Sequence, residues 1–450
     1  MTRRTASVRS ATDFRALLDR RAELEPDPIP DLRRKSRDCF LREGLPHSRM
    51  ENWRDTRLTL VLEERFEPAG PVAGSTLEEA RNLLAGISGP APRTSPHLVF
   101  VNGSFSAALS SLGVLPKGVA VAGLSSGEIR IPREALGGLA DPAGHPFTAL
   151  NGALMTDAAV VEIQDGVRLE SPIRITHLSL AGAAASPLTL PRTLLLAGEN
   201  SQASVIESCA GPNGADRYLV AAVAEIFASA GSSLTYHRVQ QEGPGGIHIG
   251  RLQAQVESGA SFDATSIALG AALDRVDAGV VLAGEEAACR LDGLFVTEGE
   301  RHADNRTVIE HRVPDCKSRQ TYKGILAGRS SAVFMGRVIV HPDAQRTDAD
   351  QSNPNLLLSD DAAVHTRPQL EIHADDVRCT HGATVGRLDE DSLFYLRTRG
   401  IGLEEATRLL IHGFAGEILD NIQEDTLRRR LERELDSRLE ACTEEADVQA

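Results

Sequence analysis

Residues 230–262 read AGSSLTYHRVQQEGPGGIHIGRLQAQVESGASF, and their punctuation decides the fold. Ala230-Gly231-Ser232-Ser233-Leu234 is a small-residue turn running into a short β-prone stretch, and Ser258-Gly259-Ala260-Ser261-Phe262 repeats the shape. Between them, Gly243-Pro244-Gly245-Gly246 opens no helix and lacks the spacing of a phosphate cradle, so it is a turn. The same shape recurs at 199–203 (ENSQA), 284–288 (GEEAA), 328–332 (GRSSA) and 360–364 (DDAAV). Steps of roughly 15 to 30 residues fall within or near the period of stacked β-solenoid coils. No helical run of ten or more residues separates these strands, which argues against a parallel sheet built from βαβ units. Periodicity alone leaves an antiparallel sandwich open beside the solenoid.

Outward from this body the texture changes at both ends. Upstream of about residue 97 the pattern is helical. Phe14, Leu17, Leu18 and Leu24 recur at near-helical spacing, the prolines at 26, 28 and 30 interrupt them, and further helices are expected at 32–43 and 75–84. From residue 97, runs such as LVFVNG, AVVEIQDG and TLLLAGEN alternate with Gly, Asn and Asp. Beyond Gly400, Ala406, Leu409, Leu410, Phe414, Ile418, Leu419 and Ile422 share one helical face, and a charged helix is expected over 426–439. The division is therefore 1–96 helical, 97–396 β body and 397–450 helical. An open solenoid end is a template for edge pairing, so the helical segments are expected to cap it.

Composition narrows the function. Of 450 residues, 41% are hydrophobic, 25% charged and only 4% aromatic, which suits many thin layers better than one thick aromatic core. A net charge of -15 argues against a nucleic-acid binder, which needs a basic footprint. No stretch has the roughly 18 consecutive apolar residues of a membrane span, and no apolar run follows Arg3, Arg4 and Arg9 as in a secretory signal. The six cysteines, at 39, 209, 289, 316, 379 and 442, lie far apart and form no CxxC pair, as expected of reduced cytoplasmic thiols. GxxxxGK[ST], HExxH and GxSxG are all missing, so an enzyme, an ATPase included, has no positive support.

One constellation remains, in 353–402. Asp375-Asp376 make a turn, after which Cys379 and His381 stand two apart. On a strand both side chains project to one side. A thiolate and an imidazole converging there are a soft-metal or iron–sulfur ligand pair, though two ligands do not close a site. The plainer reading is a buried cysteine beside a turn histidine. His302, Asp304, His311, Asp315 and Cys316 are a second, less ordered group, favoured as structural turns; Cys209 and Cys289 read as core residues, Cys442 as incidental.

Cys379-Thr380-His381-Gly382-Ala383-Thr384 resembles the C-terminal signature of the SufB/SufD family. Blocks at 304–324, 333–336 with 344–347, and 393–401 resemble it too, with weaker likeness around Gly44-Leu45-Pro46 and Glu51-Asn52-Trp53-Arg54. The resemblance implies a right-handed parallel β-helix flanked by N- and C-terminal helical domains. It also implies a non-catalytic cytoplasmic scaffold subunit for iron acquisition and iron–sulfur cluster assembly. A SufB-like subunit would pair through the β-helix, and a SufC-like ATPase would dock on the C-terminal helices and supply ATP hydrolysis. A nascent cluster or iron would sit at the SufB interface on His381, with Cys379 supporting. A flavin on the whole complex and a homodimer of the isolated chain are further implications. Where the family's scaffold cysteine and a Glu stand in SufB, this chain has Ala362 and Gly382, which cannot ligate through a side chain.

Overall fold

The computed structural model describes residues 10–448 apart from 24–26, 71–73, 89–94, 133 and 181–185; the side chains of Ser75 and of residues beyond 439 are outside what it describes. From Gln202 onward each small-residue corner hands the chain from one sheet to the other. Tyr218–Ala228, Gly246–Val256, Leu273–Leu282, His302–His311, Ser331–Val340 and Ala363–Ile372 lie side by side in the first sheet. Gln202–Ala210, Ser233–Gln241, Ser261–Ala268, Ala288–Thr297, Lys317–Leu326, Asp348–Leu357 and Arg378–Gly386 lie side by side in the second. All these neighbours pair in parallel. The result is a parallel β-solenoid of about seven turns, two strands to a turn. An antiparallel sandwich is thereby excluded. Inward positions, among them Ile226, Leu234, Val256, Phe262, Val280 and Phe334, fill the space between the sheets.

The corners explain why small and polar residues recur. Asn200, Gly231, Gly259, Glu286, Asp315 and Arg346 all adopt left-handed backbone, with φ from 56° to 67°. Their N–H groups feed a ladder along the axis: Asn200 donates to the Ala230 carbonyl, Gly231 to Ser258 and Gly259 to Glu285, each at 2.9 Å. Glycine takes this conformation freely and asparagine with little cost; the others hold it because the stack over-determines it.

Among the described residues, eight helices surround the body: α1 (Phe14–Ala22), α2 (Pro30–Glu43), α3 (Thr59–Leu62), α4 (Ser75–Ser88), α5 (Pro146–Leu154), α6 (Glu390–Thr398), α7 (Leu403–Leu419) and α8 (Asp425–Val448). They do not cap the solenoid ends as the sequence suggests; they lie along its faces. Phe14, Leu18, Phe40 and Trp53, with α5, cover the outer side of the first sheet at Leu194, Leu219, Ile247 and Leu273. Leu427, Leu431 and Leu435 of α8 and Ile411 and Ile418 of α7 cover the outer side of the second sheet, touching Ile206, Val239, Ile267, Leu294, Ile325 and Leu356 of six successive strands. A solenoid face with outward Leu and Ile is a larger apolar liability than its narrow end, so the amphipathic helices go there.

Polar fasteners fix these helices. The Arg275 guanidinium lies 3.7 Å from the Trp53 ring centroid and donates to Asp304 at 2.9 Å, which also accepts from Thr56. α5 is wholly buried, and its Asn151 donates to the Pro191 and Ala221 carbonyls at 2.8 Å each. Glu225, which interrupts the apolar run 219–230, pairs with Arg192 at 2.5 Å with both side chains out of solvent. It also accepts the backbone N–H groups of Gly137, Leu139 and Ala140.

Candidate functional site

The last coil, Ala363–Ile372 and Arg378–Gly386, has a neighbour on one side only. Its residues are exposed or half-buried along both strands, and Ile372 and Val385 are exposed apolar side chains on it. Cys379 and His381 fall on the second of these strands. Cys379 is in register with Ala349, then Ser318 and Cys289; His381 is in register with Gln351, then Gln320 and Leu291. Both therefore continue columns that line the interior, and the pair stands at the mouth of the solenoid.

Their environments differ. Cys379 is half-buried against Val338, Val340, Ala344, Ala349 and Ala374, and burial pushes its thiol pKa up. It must lose a proton to ligate a metal. His381 is exposed, and its side chain forms no hydrogen bond among the described residues. Beneath it the interior is lined with amides instead of aliphatic groups. Gln351 donates to Gln320 at 2.6 Å, Gln320 to Thr307 at 2.5 Å, and Asn355 to Asn353 at 2.8 Å.

Ala362 does not face this pair. It ends the corner that enters Ala363–Ile372 and is buried with Ala268, Phe295 and Ala332, while Cys379 follows the opposite corner of the same coil. Gly382 sits one residue beyond His381, open to solvent. The second group does not converge on a metal, and no cluster of three or more His, Cys, Asp or Glu suited to one occurs among the described residues. Asp304 is held by Arg275 and Arg306, His302 by Ser331, His311 by Ser318 and Asp315 by Arg346. Cys209, Cys289 and Cys316 are buried in the body, and burial raises the pKa of each. Cys442 has its side chain outside the described residues.

Sequence reasoning missed two features near the site. α6 falls inside the stretch read as β body, although Asp389 accepting from the Ser392 N–H is a recognisable cap. Around α6 and α7, Phe394, Tyr395, Leu403 and Leu409 are large apolar side chains exposed at 70, 57, 53 and 46%, Leu409 among them although its period places it on the apolar helical face. No helix among the described residues is long and apolar enough to cross a membrane.

Comparison with known proteins agrees with this architecture. Residues 180–414 match the family model for the SUF system FeS cluster assembly SufBD core domain, and 14–175 match the SufBD protein N-terminal region. The chain belongs to the SufBD family of iron–sulfur cluster assembly proteins. It is 32% identical to the iron–sulfur cluster assembly protein SufD of Escherichia coli (strain K12), over 89% of this chain and 90% of that one. A SufBD family protein of Synechocystis sp. is 33% identical over 86% of each chain, and the chloroplastic protein ABCI7 of Arabidopsis thaliana is 28% identical over 89% of this chain and 84% of its own. Within the family the chain is thus a homologue of SufD.

Proposed function

We propose that this chain is the SufD-type scaffold subunit of a cytoplasmic complex with a SufB-like subunit and a SufC-like ATPase. It assists iron acquisition and cluster assembly without catalysing a reaction itself. One observation carries the reading: the C-terminal solenoid turn, which has no further strand paired to it among the described residues, is also the turn that presents Cys379 and His381. Free N–H and C=O groups on Ala363–Ile372 and Arg378–Gly386, flanked by Ile372 and Val385, suit strand-to-strand pairing with a similar coil. A SufB-like coil fits that edge, and a second copy of this chain would use it in isolation. The nascent cluster is cargo at this seam: His381 offers a solvent-facing nitrogen and Cys379 a thiol that becomes a ligand on deprotonation. The partner supplies the remaining ligands, since Ala362 and Gly382 supply none. The apolar patch at Phe394, Tyr395, Leu403 and Leu409 suits docking of the ATPase, and a flavin belongs to the assembled complex if it binds at all.

The test is co-expression with the SufB-like and SufC-like chains, purification of the complex and cluster reconstitution with His381→Ala. The expected result is an intact complex whose cluster yield falls by more than about tenfold, the loss of a metal-ligand contact. An intact complex with unchanged yield would instead make the chain a structural partner with no ligand role, and a chain that purifies alone would end the scaffold reading.

A further inference from the structure

A buried arginine and a half-buried one lie where α8 meets the second sheet, with one carboxylate acting on both. Arg174, on strand Ile173–Leu178, points outward from the sheet under α8 and is 5% exposed. Its Nη2 lies 3.4 Å from Glu424 Oε1, outside hydrogen-bond geometry, and its Nε has no partner among the described residues. Arg430, in the second turn of α8, likewise has buried Nε and Nη2 atoms with no partner among the described residues. Two strands along the same outward column, with Ile206 between it and Arg174, His237 is 2% exposed and its Nδ1 is also without a partner among the described residues. Glu424 is partly committed elsewhere, because its Oε2 accepts the Leu427 N–H at 2.6 Å and so caps α8.

Among the described residues the neighbouring side-chain acceptors are committed elsewhere. His97, paired in register with Arg174, uses its Nε2 on Thr176 at 2.8 Å. Asp425 is occupied by Arg428 and Glu434 by Arg438. Burial and the neighbouring Arg174 push the Arg430 pKa down to about 10, and burial takes His97 and His237 down to about 4, so both imidazoles are neutral at pH 7. Two guanidinium charges thus share Glu424, with Glu434 also near Arg430 but paired to Arg438, beside the N-terminus of a 24-residue helix. A desolvated guanidinium N–H without an acceptor is costly, and helix N-termini with arginine forks are the standard protein setting for oxyanions.

We propose that the seam between Arg174, His237 and the first two turns of α8 binds a small tetrahedral oxyanion of the phosphate and sulfate class. The anion accepts from Arg174 Nε and Nη2, Arg430 Nε and Nη2 and His237 Nδ1, and it brings the local charge to neutrality or below. It bridges the solenoid to the helix that closes the chain, so occupancy tightens α8 on the second sheet. The unpartnered nitrogens are sealed from solvent, so binding requires the two arginine side chains to shift.

The experiment uses the full-length chain, sodium phosphate as the probe and constant ionic strength. Isothermal titration is expected to show saturable binding of one phosphate, with sulfate competing. Hydrogen exchange over residues 425–435 should slow as phosphate saturates. Arg430→Gln should weaken binding by at least about tenfold, the usual value of a charge-assisted hydrogen bond. Glu424→Gln should strengthen it, because the amide keeps the cap and removes the competing charge; that opposite sign survives even if Arg174→Gln fails to fold. No saturable phosphate binding, equal binding in Arg430→Gln, or chloride saturating the same site with equal protection of 425–435 would each overturn the proposal.

Discussion

Glu225 is the residue on which the first sheet's outer loop depends. Its carboxylate meets Arg192 and three backbone N–H groups out of reach of water, and together these hold its pKa below the usual carboxylate range despite burial. Glu225→Gln leaves Arg192 unpaired in the interior and is expected to cost about 3–5 kcal/mol, read as a fall in urea midpoint. Asp292 has the opposite sign. It is buried, accepts only from Asn421 at 2.9 Å among described side chains, and burial pushes its pKa up to about 6. A carboxyl whose folded pKa is raised costs nothing while protonated; folding loses stability as pH climbs from about 4 to about 6, and the loss is complete above. Asp292→Asn should therefore stabilise the protein above pH 6 and leave it unchanged near pH 4. At the site, the common side of Cys379 and His381 was legible from their spacing of two. That this side faces the solenoid interior was not, because inward and outward depend on the register inherited from Gln351, Gln320 and Leu291.

At the scale of elements, the open coil makes its own prediction. Ile372→Asp with Val385→Asp places charge on both free strands without entering the core, so the monomer's melting temperature should change little. Capture of the SufB-like chain should fall by more than about tenfold, since a charge desolvated at an interface without a partner costs several kcal/mol. Undiminished capture would place the interface elsewhere. The corners at 199–203, 230–234, 258–262 and 284–288 were legible from a Gly or Asn among small residues, even where the left-handed residue is the charged Glu286. Those at Asp315 and Arg346 were not, because no Gly or Asn stands beside the left-handed residue. α5 escaped notice for a different reason: PFTALNGAL is buried on every side and has no polar face for a 3.6-residue period to reveal. The helices' existence could be read from their apolar stripes, but their destination on the faces needed the outward Leu and Ile of each strand.

Across the whole molecule, acid sensitivity is built in. His97, His237, His302 and His311 are buried and His145 is half-buried, and loss of water takes each pKa down to about 4. Unfolded histidines titrate near 6.5. The unfolded chain therefore binds more protons between those limits, and stability falls as pH drops from about 6.5 toward 4. Urea midpoints across that window should fall steeply, with up to five protons taken up on unfolding; a flat profile would mean these imidazoles are solvated. The Asp292 carboxyl opposes the trend by a single proton.

The face-lying helices also change how the solenoid comes apart. In a stack where each coil touches only its neighbours, unfolding is a sequence of local peelings that starts at the free end. α7 and α8 touch Ile206, Val239, Ile267, Leu294, Ile325 and Leu356, so they act as a splint laid across six coils. A coil cannot peel away without lifting the splint from all the others, and a one-dimensional stack becomes a single cooperative body. The splint reaches Leu356, one coil short of the last, so any fraying that begins at the bare last coil stops at the cooperative body beneath it.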